Sequence, residues 1–102
     1  MARQDLRVSY SLRASIAVRE YAACYEVRQP GLGRSFMASL RDAERLAQSN
    51  PTGFREVAPS SGIRAIVIRR IPFRLLYALR SDSILIVAVA HTARKPGRFP
   101  GD

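Results

Sequence analysis

The sequence predicts an α+β fold in which an N-terminal helical hairpin packs on one face of a twisted antiparallel sheet, in the order β-α-α-β-β-β. Three observations predict it. Apolar residues recur at helical spacing in the first half of the chain, β-branched residues are concentrated in the second half, and short breaks, most of them with Pro or Gly, separate the segments. Helices that precede most of the strands are typical of α+β layers. The length of 102 residues fits one domain, 1–102.

The first element is a short strand. Leu6, Val8 and Tyr10 alternate with polar residues, which is the period of a strand with one buried face. Ser11 follows as a candidate helix N-cap. This strand must join the sheet, and we expect it beside the last strand or at an edge.

Two amphipathic helices are predicted at about 12–28 and 32–49, separated by the break from Gln29 to Gly33. Asn50-Pro51 ends the second helix, because the residue before a proline disfavours the α conformation. The apolar stripes that we expect to be buried are Ala14, Val18, Tyr21 and Tyr25, then Leu32, Phe36, Leu40, Ala43 and Ala47. The only cysteine, Cys24, lies in the first pattern and is predicted to be a small core residue; a single cysteine excludes an intrachain disulfide.

The second half contains three predicted strands after a loop at 52–62. The strands run from 63 to 70, from 73 to 79 and from 84 to 91, and short turns make them an antiparallel meander. The last strand is apolar on both faces and is therefore expected to be central. Residues 92–102 are expected to be mostly irregular.

The chain is strongly basic, with a net charge of +9, and almost every base is an arginine. Residues 64–102 hold eight basic and two acidic residues, so most of the net charge lies near the C-terminal end. Such a surface favours a polyanion or an acidic protein as its partner.

Several classes of function find no support in the sequence. It has no phosphate-binding loop, no dinucleotide fingerprint and no metal-ligand cluster, so we expect no cofactor and no metal. No apolar run is long enough to span a membrane, and the N-terminus lacks the apolar region of a signal peptide. A cytoplasmic location is therefore expected.

The second half of the chain carries a family signature. Residues 63–77 form a basic strand, a turn and a strand that ends in an aromatic residue, and residues 84–91 form an apolar strand. A His-x-x-Arg-Lys-Pro run follows from His91 to Pro96. Together with the Pro30–Gly33 break, this order resembles the RelE/ParE toxins of type II toxin–antitoxin systems, including ParE-like plasmid stabilisation proteins, over about residues 6–99.

The resemblance implies a bacterial toxin that inhibits growth and is neutralised by a cognate antitoxin in a hetero-oligomer, for which we expect an acidic antitoxin segment. RelE-type members enter the ribosome and cleave mRNA, whereas ParE-type members poison DNA gyrase and cleave no nucleic acid. A degenerate member would bind antitoxin without toxicity.

The RelE alternative requires an acid, a base and cations around the phosphate. Its candidate catalytic residues here are His91, Arg64, Arg70 and Arg94. His91 is the only histidine, a side chain that titrates near neutral pH. The alternative interpretation of His91 is a strand-end residue that bonds to the sheet or to Tyr77.

The sequence departs from the RelE pattern in two places. RelE-type nucleases have a lysine pair before or within the second strand, whereas this sequence has no lysine before Lys95. RelE-type nucleases also have a tyrosine near the C-terminus, whereas the last aromatic residue here is Phe99. These departures favour the non-enzymatic ParE type with gyrase as the target. The endoribonuclease and the degenerate member remain alternatives.

The candidate surface for a partner or target comprises Arg64, Arg69, Arg70, Arg74, Tyr77, Arg94 and Lys95. Adjacent residues of a strand point to opposite faces, so Arg69 and Arg70 are expected to diverge, while Arg64 shares a face with Arg70. Their alternative interpretation is solvated strand ends. Phe73 and Tyr77 share a face and are expected to lie partly in the core.

Overall fold

The computed structural model describes residues 6–92, which form two α-helices and four β-strands. In chain order the elements are β1 (Arg7–Tyr10), α1 (Leu12–Arg28), α2 (Leu32–Ser49), β2 (Ile63–Val67), β3 (Phe73–Leu79) and β4 (Ser83–His91). This is the predicted order, and both helices have the predicted limits. Ser11 caps α1 as expected, since its side chain accepts a hydrogen bond from the Ala14 N–H at 3.1 Å.

The sheet has the strand order β1-β4-β3-β2. The meander β2-β3-β4 is antiparallel as predicted, and β4 is central. The first strand takes the predicted place, at an edge and beside the last strand, but it runs parallel to β4. The sheet is therefore mixed rather than wholly antiparallel. The Ser11 N–H continues the pairing by donating to the Ile86 carbonyl at 2.9 Å.

A bulge interrupts the pairing of β3 with β4. Leu76 pairs with Ala88 while the next residue, Tyr77, pairs with Ile86, so Val87 is the extra residue. Because of the extra residue, Ile84 and Ile86 before the bulge and Val89 after it all point into the core, where they are buried. His91, two residues beyond Val89, lies on the same face of β4.

The core lies between the helices and one face of the sheet. Its centre is an aromatic cluster in which the rings of Tyr21 and Phe36 contact the ring of Phe73 at centroid distances of 4.5 and 5.4 Å. Phe73 and Tyr77 were expected to be partly buried, but they are 1% and 0% exposed. Both have this burial because β3 lies inside the sheet and points these side chains at the helices.

The prediction for Cys24 was wrong, because its side chain is exposed. Successive residues of a helix are rotated by about 100°. Cys24 directly precedes Tyr25, whose ring packs on Phe36, and it is therefore turned away from the buried stripe. Ala14, Val18 and Tyr21 of that stripe are buried as predicted, and Tyr25 is half-buried.

Hydrogen bonds to other parts of the chain hold β1 and β2 in place at the two edges of the sheet. Tyr10 donates a hydrogen bond to the Glu44 carboxylate, and Gln48 donates to the Leu6 carbonyl at 2.7 Å, so α2 holds β1. Burial and the Glu44 carboxylate both raise the pKa of Tyr10. At the other edge, the Ala65 N–H donates to the Arg55 carbonyl, so the preceding loop covers β2. No helix within residues 6–92 is long and apolar enough to cross a membrane.

Candidate functional site

Arg69 and Arg70 lie in the turn between β2 and β3, not in a strand. The predicted strand 63–70 ends at Val67, because the Ile68 N–H donates to the Phe73 carbonyl and the chain reverses between them. Arg70 has a φ of 74°, in the left-handed region that non-glycine residues rarely adopt. The alternation expected for Arg64, Arg69 and Arg70 therefore does not extend to the two turn residues, and both side chains are exposed.

A groove runs between this turn and α2. It consists of two adjoining pockets of about 390 and 320 Å³, and both are lined by Ser39, Asp42 and Arg70. We call this surface the turn groove. Its apolar lining comes from both sides, with Leu32, Phe36 and Leu46 on α2, and Val67, Ile68 and Ile71 on the β2–β3 segment.

The rim of the turn groove is mainly basic on its turn side and mixed on its helix side. Arg69 and Arg70 lie on the turn side. On α2, Asp42 accepts a hydrogen bond from Arg45 at 2.9 Å, and both of these side chains are about 70% exposed. An ion pair this exposed contributes little to stability, and the positive charge of Arg45 offsets part of the negative charge of Asp42 at the rim. A ligand with both acidic and apolar side chains would match this rim and lining.

Arg64 and Tyr77 face each other across β2 and β3, and both bind the loop that follows α2. Arg64 donates to the Phe54 carbonyl at 2.5 Å, and the Tyr77 hydroxyl donates to the Pro51 carbonyl at 2.7 Å. Burial raises the pKa of Tyr77. These two predicted site residues therefore hold a loop in place, and the buried ring of Tyr77 is not accessible to a partner.

His91 lies at the same end of the sheet as the turn groove. It pairs with Phe73 across β3 and β4, and its ring meets the Phe73 ring edge-on at a centroid distance of 5.0 Å. Arg64 lies toward the other end, three strand residues before Val67, which is about 10 Å at the rise of a strand. The structure therefore brings His91 and Arg70 to one end of the sheet and leaves Arg64 away from them.

Arg74 is exposed and has a different orientation from these residues. It follows the buried Phe73 in β3, so its side chain projects from the face of the sheet opposite the helices. The remaining predicted residues, Arg94 and Lys95, lie outside the described residues.

Comparison with solved structures supports this fold. A solved structure described as the chromosomal ParDE TA system from P. aeruginosa matches this chain with a TM-score of 0.72 and 14% sequence identity. The match covers 86% of this chain and 97% of that chain. The chain has the fold of a ParDE toxin–antitoxin protein. No protein-family model matches the sequence, and neither does any curated protein.

Several residues that line the turn groove were not among the site residues predicted from the sequence. Ser39, Asp42 and Leu46 occupy one edge of α2, at spacings of three and four residues beside the core stripe. That spacing was readable in the sequence. The position of Val67 in the groove could not be read from the sequence, because only the tertiary structure brings the end of β2 to this edge of α2. Val67 is 68% exposed.

The turn groove is suited to binding rather than to covalent chemistry. Its charged groups are exposed arginines and one exposed aspartate, and arginine binds carboxylates and phosphates through a rigid pair of donors. Within residues 6–92 no group of three or more His, Cys, Asp or Glu side chains could hold a metal ion. A fold by itself does not determine function, so the functional conclusion depends on this groove and its charges.

Proposed function

We propose that this chain is the toxin of a type II toxin–antitoxin system, of the ParE type, which acts in the bacterial cytoplasm by poisoning DNA gyrase and is neutralised by a cognate antitoxin. The observation that carries the proposal is a ParDE-like fold over 86% of this chain and 97% of its structural neighbour. The net charge of +9 supports an acidic partner.

The turn groove is the proposed seat of the antitoxin. Acidic side chains of the antitoxin would pair with Arg69 and Arg70, and its apolar side chains would fill the pockets beside Phe36 and Ile68. The left-handed conformation of Arg70 supports this role, since a residue in such a conformation costs about 1–3 kcal/mol and often lies at a binding site.

A binding mechanism also agrees with the positions of the residues that ribonuclease chemistry would use. Arg64 donates to main-chain carbonyls of a loop and lies at the end of β2 away from His91. General acid–base catalysis requires groups within hydrogen-bond reach of one reacting phosphate. The separation of Arg64 from His91 therefore supports a binding role over mRNA cleavage in which both residues take part.

Induction of the chain without antitoxin in a bacterial host tests the target. We expect growth arrest with altered nucleoids and a DNA-damage response, while translation continues at first. Purified gyrase should accumulate cleaved plasmid when the chain is added. Rapid loss of translation with cut transcripts and intact DNA would contradict the gyrase proposal and support the RelE-type alternative. An absence of growth arrest would support the degenerate member.

Co-expression with the protein encoded beside this gene tests the antitoxin site. The double substitution Arg69→Glu/Arg70→Glu should weaken the complex, whereas Arg55→Glu/Arg80→Glu changes the net charge equally at exposed positions away from the groove and should leave it intact. Equal affinities for the two variants would show that the antitoxin binds elsewhere.

A further inference from the structure

Helix α1 has a second apolar stripe, on the side that faces solvent. Leu12, Ile16 and Val27 are 74%, 42% and 86% exposed, and Ala23 between them is also exposed. At about 100° per residue, these four side chains fall within an arc of about 60° along four turns. We call them the α1 stripe.

The α1 stripe lies opposite the face that α1 buries in the core. Ala14, Val18 and Tyr21 mark the buried face, and their mean direction around the helix axis is about 180° from the stripe. A surface helix is expected to be apolar on one side only, so the second apolar side indicates contact with a further protein surface.

The charges beside the α1 stripe divide into two halves. Arg13 and Arg19 lie along its N-terminal half, and Glu20 and Glu26 lie along its C-terminal half, all four exposed. Two copies of the helix that run antiparallel place the basic half of each against the acidic half of the other. Two parallel copies would place like charges together, so the charge pattern selects the antiparallel arrangement.

We propose that the α1 stripe is a self-association surface, on which a second copy of this chain packs its own α1 antiparallel across a two-fold axis. The surface is complementary to itself, as a two-fold interface must be, because each copy supplies the same apolar stripe and both signs of charge. The proposal is independent of the gyrase and antitoxin functions, since the α1 stripe and the turn groove have no residue in common.

The expected dimer is weak. A helix of 17 residues is about 25 Å long, and one helix pair buries less than the roughly 800 Å² per partner of a standard interface. The net charge of +9 on each copy adds repulsion, which salt screens. We therefore expect a dissociation constant in the micromolar range at about 0.15 M salt.

Sedimentation equilibrium of the purified full chain, from about 5 to 500 µM, tests association. The wild type should form dimers, and Ile16→Asn and Val27→Asn should each weaken them at least about tenfold. Val57→Asn is the matched control, since Val57 is 46% exposed in the loop before β2, and it should leave the dimer unchanged. Circular dichroism shows whether each variant is folded.

A charge-reversal pair tests the antiparallel orientation. Arg13→Glu/Arg19→Glu makes all four charges beside the stripe acidic and should abolish the dimer, while Arg55→Glu/Arg80→Glu has the same net charge and should keep it. A parallel dimer would change little with the first pair, because it exchanges one like-charge contact for another.

Three further outcomes would overturn the proposal. The first is a wild-type chain that remains monomeric up to about 500 µM. The second is a dimer that Ile16→Asn and Val27→Asn leave intact, which would place the interface elsewhere. The third is a monomer whose α1 stripe becomes protected from hydrogen exchange or labelling only when the antitoxin binds, which would assign the stripe to that partner.

Discussion

Gly33 donates its main-chain N–H to the Glu26 carboxylate at 3.0 Å, and this bond joins the start of α2 to the end of α1. The same carboxylate accepts the Gly31 N–H at 3.0 Å. One side chain therefore satisfies two N–H groups that the first turn of a helix leaves without helical partners. Glu26, which precedes Gly31 by five residues and Gly33 by seven, therefore stabilises the turn between the two helices.

Acid should loosen the hairpin through Glu26. The hydrogen bonds from Gly31 and Gly33 lower the pKa of this carboxyl. A lowered pKa contributes stability that is present above the ordinary glutamate value and is lost as the pH falls through the folded-state value. The melting temperature of the wild type should therefore fall more steeply below about pH 4.5 than that of Glu26→Gln.

At pH 7, Glu26→Gln should melt at a lower temperature than the wild type. Glu20→Gln is the control, because it removes the same charge from the same helix at an exposed position. Equal effects of the two substitutions would show that only net charge matters, and that the bonds to the turn contribute nothing.

Gly33→Ala should destabilise the protein by about 1–3 kcal/mol. A Cβ at this position would lie 2.8 Å from the Ala22 main-chain oxygen, so α1 and α2 must move apart. Urea unfolding measures the change. Ser35→Ala, at an exposed position two residues further along α2, should change stability by less than about 0.5 kcal/mol. A fully stable Gly33→Ala would mean that the close approach of the two helices is not required.

Tyr77→Phe should lower stability by about 1 kcal/mol, because it removes the hydrogen bond to the Pro51 carbonyl. The variant should still arrest growth at temperatures at which it remains folded, because the Tyr77 ring is 0% exposed and its hydroxyl binds the loop after α2. Loss of toxicity from a protein that is folded at the growth temperature would return Tyr77 to a direct role in the target complex.

Arg70→Gly should stabilise the free protein and weaken the antitoxin complex. Arg70 has a φ of 74°, which glycine adopts without steric strain, so the substitution should raise the free energy of unfolding by about 0.5–1 kcal/mol even after the greater entropy of the unfolded glycine chain is subtracted. The same substitution removes one of the two cations of the turn. Arg69→Gly is the matched control: it removes the other cation at an ordinary φ and should destabilise the fold. Unfolding in urea and titration with the antitoxin separate the two effects. A complex unaffected by either substitution would remove the turn from the binding site.

The helices and the meander were predictable from local patterns. Apolar spacing placed α1 and α2, and Asn50-Pro51 marked the end of α2 for a reason that involves only neighbouring atoms. Strand β3 has its predicted limits, and β4 begins one residue earlier than predicted. The exposure of Cys24 was also readable, because its position relative to Tyr25 is a matter of helix geometry.

The candidate site was predictable only in part. The sequence indicated that basic residues near β2 and β3 matter, and the structure separates them into different roles. Arg69 and Arg70 line the turn groove, Arg64 binds the loop after α2, and Arg74 projects from the other face of the sheet. Strand periodicity predicted a shared face for Arg64 and Arg70, but it fails where the chain leaves the strand at Val67.

By itself the sequence determined the order and period of the elements, which depend on residues close together in the chain, and the basic charge, which depends on composition alone. Tertiary structure alone decided the parallel pairing of β1 with β4, the turn groove and the bond between Tyr77 and Pro51. Those features join residues far apart in the chain: Leu46 and Val67 of the turn groove are separated by 21 positions, Pro51 and Tyr77 by 26, and Tyr10 and Ile86 by 76. Contacts of that kind form only when the two helices pack on the sheet and bring distant main-chain groups within hydrogen-bond reach.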